Sequence, residues 1–93
     1  MIVGRCRVEL AFPGNGNLKD KRRVVKSLVD RARRKFNVAV AEVDRLDSHD
    51  RITLGVAVVT NEGAHADRML AEVVRWLGSN SEAVLCDYGV EIG

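Results

Sequence analysis

Residues 37–60, NVAVAEVDRLDSHDRITLGVAVVT, read as two strands joined by a turn. Val38 to Asp44 is the first and Arg51 to Thr60 the second, with the cluster Leu46-Asp47-Ser48-His49-Asp50 between them. In the second strand Ile52, Leu54, Val56 and Val58 share one face, while Arg51 and Thr53 take the other. The hairpin decides the fold because a helical pattern lies on each side of it.

Upstream, Leu18, Val25, Leu28, Val29, Ala32 and Phe36 recur at helical spacing. Asn17 is placed to cap that helix, and Asn37 to close it in left-handed geometry. Downstream, Ala66, Met69, Leu70, Val73, Trp76 and Leu77 mark a second helix that stops near Gly78. Ile2 to Phe12 alternates as a strand before the first helix, and Val84 to Ile92 reads as a strand after the second. The order is βαββαβ.

That order predicts one α+β, ferredoxin-like domain over residues 1–93, a two-layer sandwich. The crossover rule gives a four-stranded antiparallel sheet ordered 4-1-3-2, with both helices on one face. Ninety-three residues leave no room for a second core. The open face is expected to carry Arg5, Arg7, Glu9, Glu42, Asp44 and Thr53, with an apolar patch of Val3, Val38 and Val40. Strands two and four are free edges, so a homodimer is expected.

The net charge of +2 conceals an asymmetry. Residues 17–36 hold nine Lys or Arg against two Asp, leaving six cations against eleven acids elsewhere. Such a dipolar molecule steers polyanions toward one side. At about 100° per residue, Lys19, Arg22, Arg23, Lys26, Arg33 and Arg34 fall in one arc about 120° wide, interrupted only by Asp30. Cations stacked at i,i+3 and i,i+4 repel one another and gain little from intrahelical pairing. A bound polyanion offsets that cost, so these six residues are the candidate RNA or polyanion site. Lys21 borders the apolar stripe, where its stem can snorkel.

Other chemistries fit less well. The turn Pro13-Gly14-Asn15-Gly16 leads into a helix N-terminus, which can hold an anion. It lacks the spacing of a P-loop, since Lys19 is followed by Asp20. Acylphosphatase chemistry on this fold requires an Arg in that loop, and none is there. RNA-recognition motifs stack bases on aromatics in the central strands, and Phe12, Phe36, Trp76 and Tyr88 do not fall there. Asp44, Asp47, His49 and Asp50 match no metal-binding spacing and read as turn residues. Cys6 and Cys86, far apart and outside any C-x-x-C, are expected to be buried thiols on the apolar side of their strands. No catalytic residues, metal or cofactor are expected. No signal peptide or membrane-length apolar run is read, so a cytosolic setting is expected.

The stretch LKDKRRVVKSLVDRARRKFNVAVAEVD, with RITLGVAVVTN after it, resembles the YlxP-like family of small bacterial proteins of unknown function. The pattern L-K-x-K-R-x-V-x-x-x-L followed by F-N-x-x-x-A-E-V carries the resemblance. Members are typically encoded beside translation initiation factor two and ribosome-binding factor A, which implies a role near the ribosome or its assembly. The family supplies no catalytic residues to carry over. What it shares is the basic helix, here Lys19, Lys21, Arg22, Arg23 and Lys26, and the acids Glu42 and Asp44. The sequence therefore points to a non-enzymatic RNA- or ribosome-associated module. The alternative is a homo-oligomer that binds an acidic protein or a small anion.

Overall fold

The computed structural model describes residues 1–13, 17–79 and 82–93. The elements are β1 (Ile2–Ala11), α1 (Leu18–Lys35), β2 (Ala39–Asp44), β3 (Arg51–Thr60), α2 (Gly63–Ser79) and β4 (Val84–Ile92). They form one antiparallel sheet in the order β2-β3-β1-β4, the expected topology. The Gly14–Gly16 turn lies outside the described residues.

Local chemistry accounts for the ends of α1. Asn17 Oδ1 accepts from the Lys19 backbone N–H at 2.9 Å, the N-cap bond expected of this residue. The C-terminus departs from expectation. Phe36 is extended and its N–H still bonds the Ala32 carbonyl. Asn37 does not turn left-handed, because among the described non-glycine residues only Arg45 has positive φ.

The core lies between sheet and helices. Val8 and Leu10 of β1, Ile52 and Leu54 of β3, Leu28 of α1 and Leu70 of α2 are all fully buried there. Gly4 marks the closest approach of α2 to the sheet: a Cβ would stand 3.0 Å from Ala66 Cβ and 3.1 Å from Leu70 Cδ1.

Two β-bulges correct the strand reading. In β2, Val40 pairs with Val56 and Glu42 with Leu54, but Asp44 pairs with Thr53. Val43 is the extra residue. Simple alternation back from Asp44 puts Glu42, Val40 and Val38 on the open face, yet the bulge reverses them. Val40 is core, Val38 packs against it, and Ala39 and Ala41 occupy the open face instead. In β4 the register shifts between Leu85 and Asp87, so Cys86 is exposed rather than buried. Cys6 is buried as expected, and burial pushes its thiol pKa up, away from nucleophile chemistry.

Candidate nucleic-acid interface

Helix α1 lies over β2, and its buried positions include Val24, Val25, Leu28 and Ala32. That stripe turns the opposite arc to solvent. All six predicted cations, Lys19, Arg22, Arg23, Lys26, Arg33 and Arg34, are exposed and share the outward side of one helix.

They are not equivalent. Arg23 Nη2 stands 3.6 Å from Asp20 Oδ1, and Lys26 Nζ donates to Asp30 Oδ2 at 3.1 Å. Intrahelical pairing is thus greater than the spacing of like charges suggested, because Asp20 and Asp30 fall at i−3 and i+4 from their partners. Arg33 Nη2 donates to the Val40 carbonyl at 2.7 Å, tying the end of α1 to strand β2. Lys19, Arg22 and Arg34 have no carboxylate within ion-pair distance among the described residues.

Lys21 behaves differently from its neighbours. It is fully buried, its Nζ 2.8 Å from Glu42 Oε2 and donating to the Arg45 carbonyl at 2.7 Å. The Glu42 Oε2 contact is one of charge rather than an aligned hydrogen bond, so that buried oxygen depends on the cation alone. The ion pair joins α1 to β2, and the hydrogen bond joins it to the β2–β3 connection at Arg45, the residue with positive φ. Lys21 is therefore structural. Sequence placed it at the edge of the stripe but could not supply the inward-facing Glu42.

The open sheet face is a second charged surface on which most cations meet a carboxylate, Arg51 reaching only the Cys86 sulfur at 3.7 Å. Arg7 bonds Asp44 at 2.8 Å and Glu9 at 3.0 Å, and Thr53 donates to Glu9 at 2.8 Å. Arg5 pairs with Glu91 at 3.5 Å, and Arg45 reaches Glu9 at 3.9 Å. The Arg7 guanidinium holds the Asp44 carboxyl below the usual carboxylate range, with help from the Arg45 N–H, and Asp44 in turn raises Arg7. Thr53, although on this face, is fully buried beside the network.

A trough of about 530 Å³ adjoins this network, lined by Ala39, Ala41, Gly55 and Ala57 together with Arg7 and Arg33. Small residues leave this space: a Cβ at Gly55 would come within 2.8 Å of Val43 Cγ1. The sequence reading missed the trough, although alternate Ala and Gly in two paired strands are its signal.

No group of His, Cys, Asp and Glu side chains among the described residues is arranged to hold a metal ion. Ser48 Oγ donates to Asp50 and accepts from the Arg51 N–H, giving the hairpin acid a turn role.

Fold and site together define a small ferredoxin-like α+β module presenting a helix whose outward cations are partly unpaired. The family model described as "Protein of unknown function (DUF503)" matches residues 3–90, and the chain belongs to that family. It is 30% identical over 81 residues to the uncharacterized protein YlxP of Bacillus subtilis (strain 168), a match covering 87% of this chain and 88% of that protein.

Proposed function

We propose that the protein is a non-enzymatic RNA-binding module that acts in the cytosol in association with the ribosome or its precursors. The outer arc of α1 is the contact surface. The observation that carries this reading is the contrast in pairing. Arg5, Arg7 and Arg45 of the sheet and hairpin each meet a carboxylate, with Arg51 reaching only the Cys86 sulfur, whereas Lys19, Arg22 and Arg34 of one helix face meet no carboxylate among the described residues. An unpaired cation can neutralise a phosphate without first giving up a partner. The surface has no exposed aromatic platform on the helix, so phosphate contact supplies affinity with little base reading.

The test is binding of a structured ribosomal RNA fragment by a variant carrying Lys19→Ala, Arg22→Ala and Arg34→Ala. Affinity falls, and the slope of log affinity against log salt flattens by roughly 0.7–0.9 per lost contact. Arg45→Ala with Arg51→Ala is the control, off the helix. Equal loss per removed charge in both variants would mean that the helix is not a defined site. A small anionic ligand, the second reading, would give a shallow salt slope in the unaltered protein.

A further inference from the structure

The two edges of the sheet are finished differently. The Phe12 N–H bonds the Asp50 carbonyl and the Gly93 N–H bonds the Val3 carbonyl. With antiparallel alternation, these bonds set which residues aim backbone groups at which neighbour. In β1 the even residues face β3 and the odd ones face β4. It follows that in β2 Val40 and Glu42 turn their backbone groups to the free edge. In β4 those residues are Tyr88, Val90 and Ile92.

At the β2 edge, the outward Val40 carbonyl is occupied by Arg33, and the Val43 bulge breaks the ladder. These are ordinary ways to blunt an edge. At the β4 edge no Lys, Arg or Pro occurs from Val84 to Ile92. The same residues that offer free backbone groups, Tyr88, Val90 and Ile92, also carry exposed apolar side chains, at 53%, 37% and 40% exposure. Pairing with Val8, Cys6 and Gly4 places all three side chains on the helix-bearing side of the sheet.

We infer that β4 pairs with β4 of a second copy, antiparallel about a two-fold axis at Val90, making one continuous eight-stranded sheet. Self-complementarity favours a second copy over a foreign strand. With the axis at Val90, Tyr88 stands opposite Ile92 of the other copy, and Val90 opposite Val90, so the apolar strip closes on itself. On the open face Glu91 falls opposite Gly89 and Asp87 opposite Gly93, so no acid faces an acid. Each apolar pair is also a hydrogen-bonded pair, exchanging two backbone bonds. Asp87 Oδ1 holds the Tyr88 N–H at 2.8 Å in the single chain, and pairing exchanges that exposed contact for a carbonyl. Helix α1, over β2 at the far end of the sheet, stays free, so this assembly is independent of the RNA reading.

Sedimentation equilibrium on the full chain tests the inference. The unaltered protein sediments as a dimer at tens to hundreds of micromolar. Val90→Pro removes only an edge-facing N–H, and Val90→Lys places charge on the axis. Both variants become monomers with unchanged far-ultraviolet circular dichroism. Amide exchange supplies the second readout: the backbone N–H groups at positions 90 and 92 are protected in the dimer and exchange fast in the Val90→Lys monomer. Gly89 and Glu91, bonded to β1, stay protected in both. A monomeric unaltered protein overturns the proposal, as does a dimer that persists in folded Val90→Pro and Val90→Lys. Protection of Val90 that is unchanged by Val90-flanking charge, as in Ile92→Lys, overturns it too.

Discussion

The outer arc of α1 and the open face of the sheet are both rich in arginine, yet they hold their charge in opposite ways. On the sheet, Arg7 lies between Glu9 and Asp44, and Arg5 against Glu91, so the field closes within a few ångströms. On the helix, Arg23 and Lys26 are engaged locally while Lys19, Arg22 and Arg34 are left open among the described residues. The lesson is that a count of cations does not measure a binding surface. What matters is how many remain after the protein's own carboxylates have been assigned, because only those release counterions to a polyanion without a compensating loss. Exposed pairs are individually weak, about 0–1 kcal/mol, so the sheet network holds local geometry more than it holds the fold.

The largest effect should come from the one α1 cation that faces inward. Lys21→Ala leaves the buried Glu42 Oε2 without its cation and the Arg45 carbonyl with only the Ser48 N–H, and should destabilise the protein by roughly 3–5 kcal/mol. Lys21→Met combined with Glu42→Leu removes both charges and should recover most of that loss. Urea denaturation measures both. A small loss for Lys21→Ala would show that water reaches the pair, and the division of α1 into a structural and a free side would fail.

The contrast between paired and open cations can be sharpened by releasing the engaged ones. Asp20→Asn with Asp30→Asn frees Arg23 and Lys26 without touching any cation. RNA affinity should rise several-fold at low salt and the salt slope should steepen, while stability falls by about 0.5–1 kcal/mol, mainly from losing Asp20 in the first helical turn. Unchanged affinity in a titration at two salt concentrations would place the contact elsewhere.

The smallest effect concerns acid. Because Asp44 titrates lower in the folded than in the unfolded chain, its contribution is fully present above its unfolded value, about 4, and is lost as pH falls through the lower folded value. Between pH 7 and 5 the Asp44–Arg7 pair should therefore not change. The Asp44 carboxyl resonance, followed by NMR, should titrate below the ordinary carboxylate range, and Arg7→Ala should move it back up. An unmoved midpoint in Arg7→Ala would remove the guanidinium as its cause.

Much of this architecture was legible from local pattern. Val84 to Ile92 was bounded correctly as a strand, and the spacing of Leu28, Val29 and Ala32 oriented α1 so that all six cations point outward. The Asn17 cap was legible because its partner lies two residues away. The faces of Val38, Val40, Glu42 and Cys86 were not. Each lies beside a bulge, and alternation carried across a bulge inverts every side chain beyond it.

By itself, then, the sequence determined the element order, the sheet topology and the location of the basic helix. Those follow from periodicity and chain connectivity, which are local properties. Only the tertiary structure decided which charges remain available. Lys21 meets Glu42 and Arg7 meets Asp44 across long stretches of chain, and Arg33 meets the Val40 carbonyl only because α1 folds back over β2. It also decided which edge is left open. A bulge exists only relative to the strand it pairs with, so its position is a property of the folded sheet and not of either segment alone.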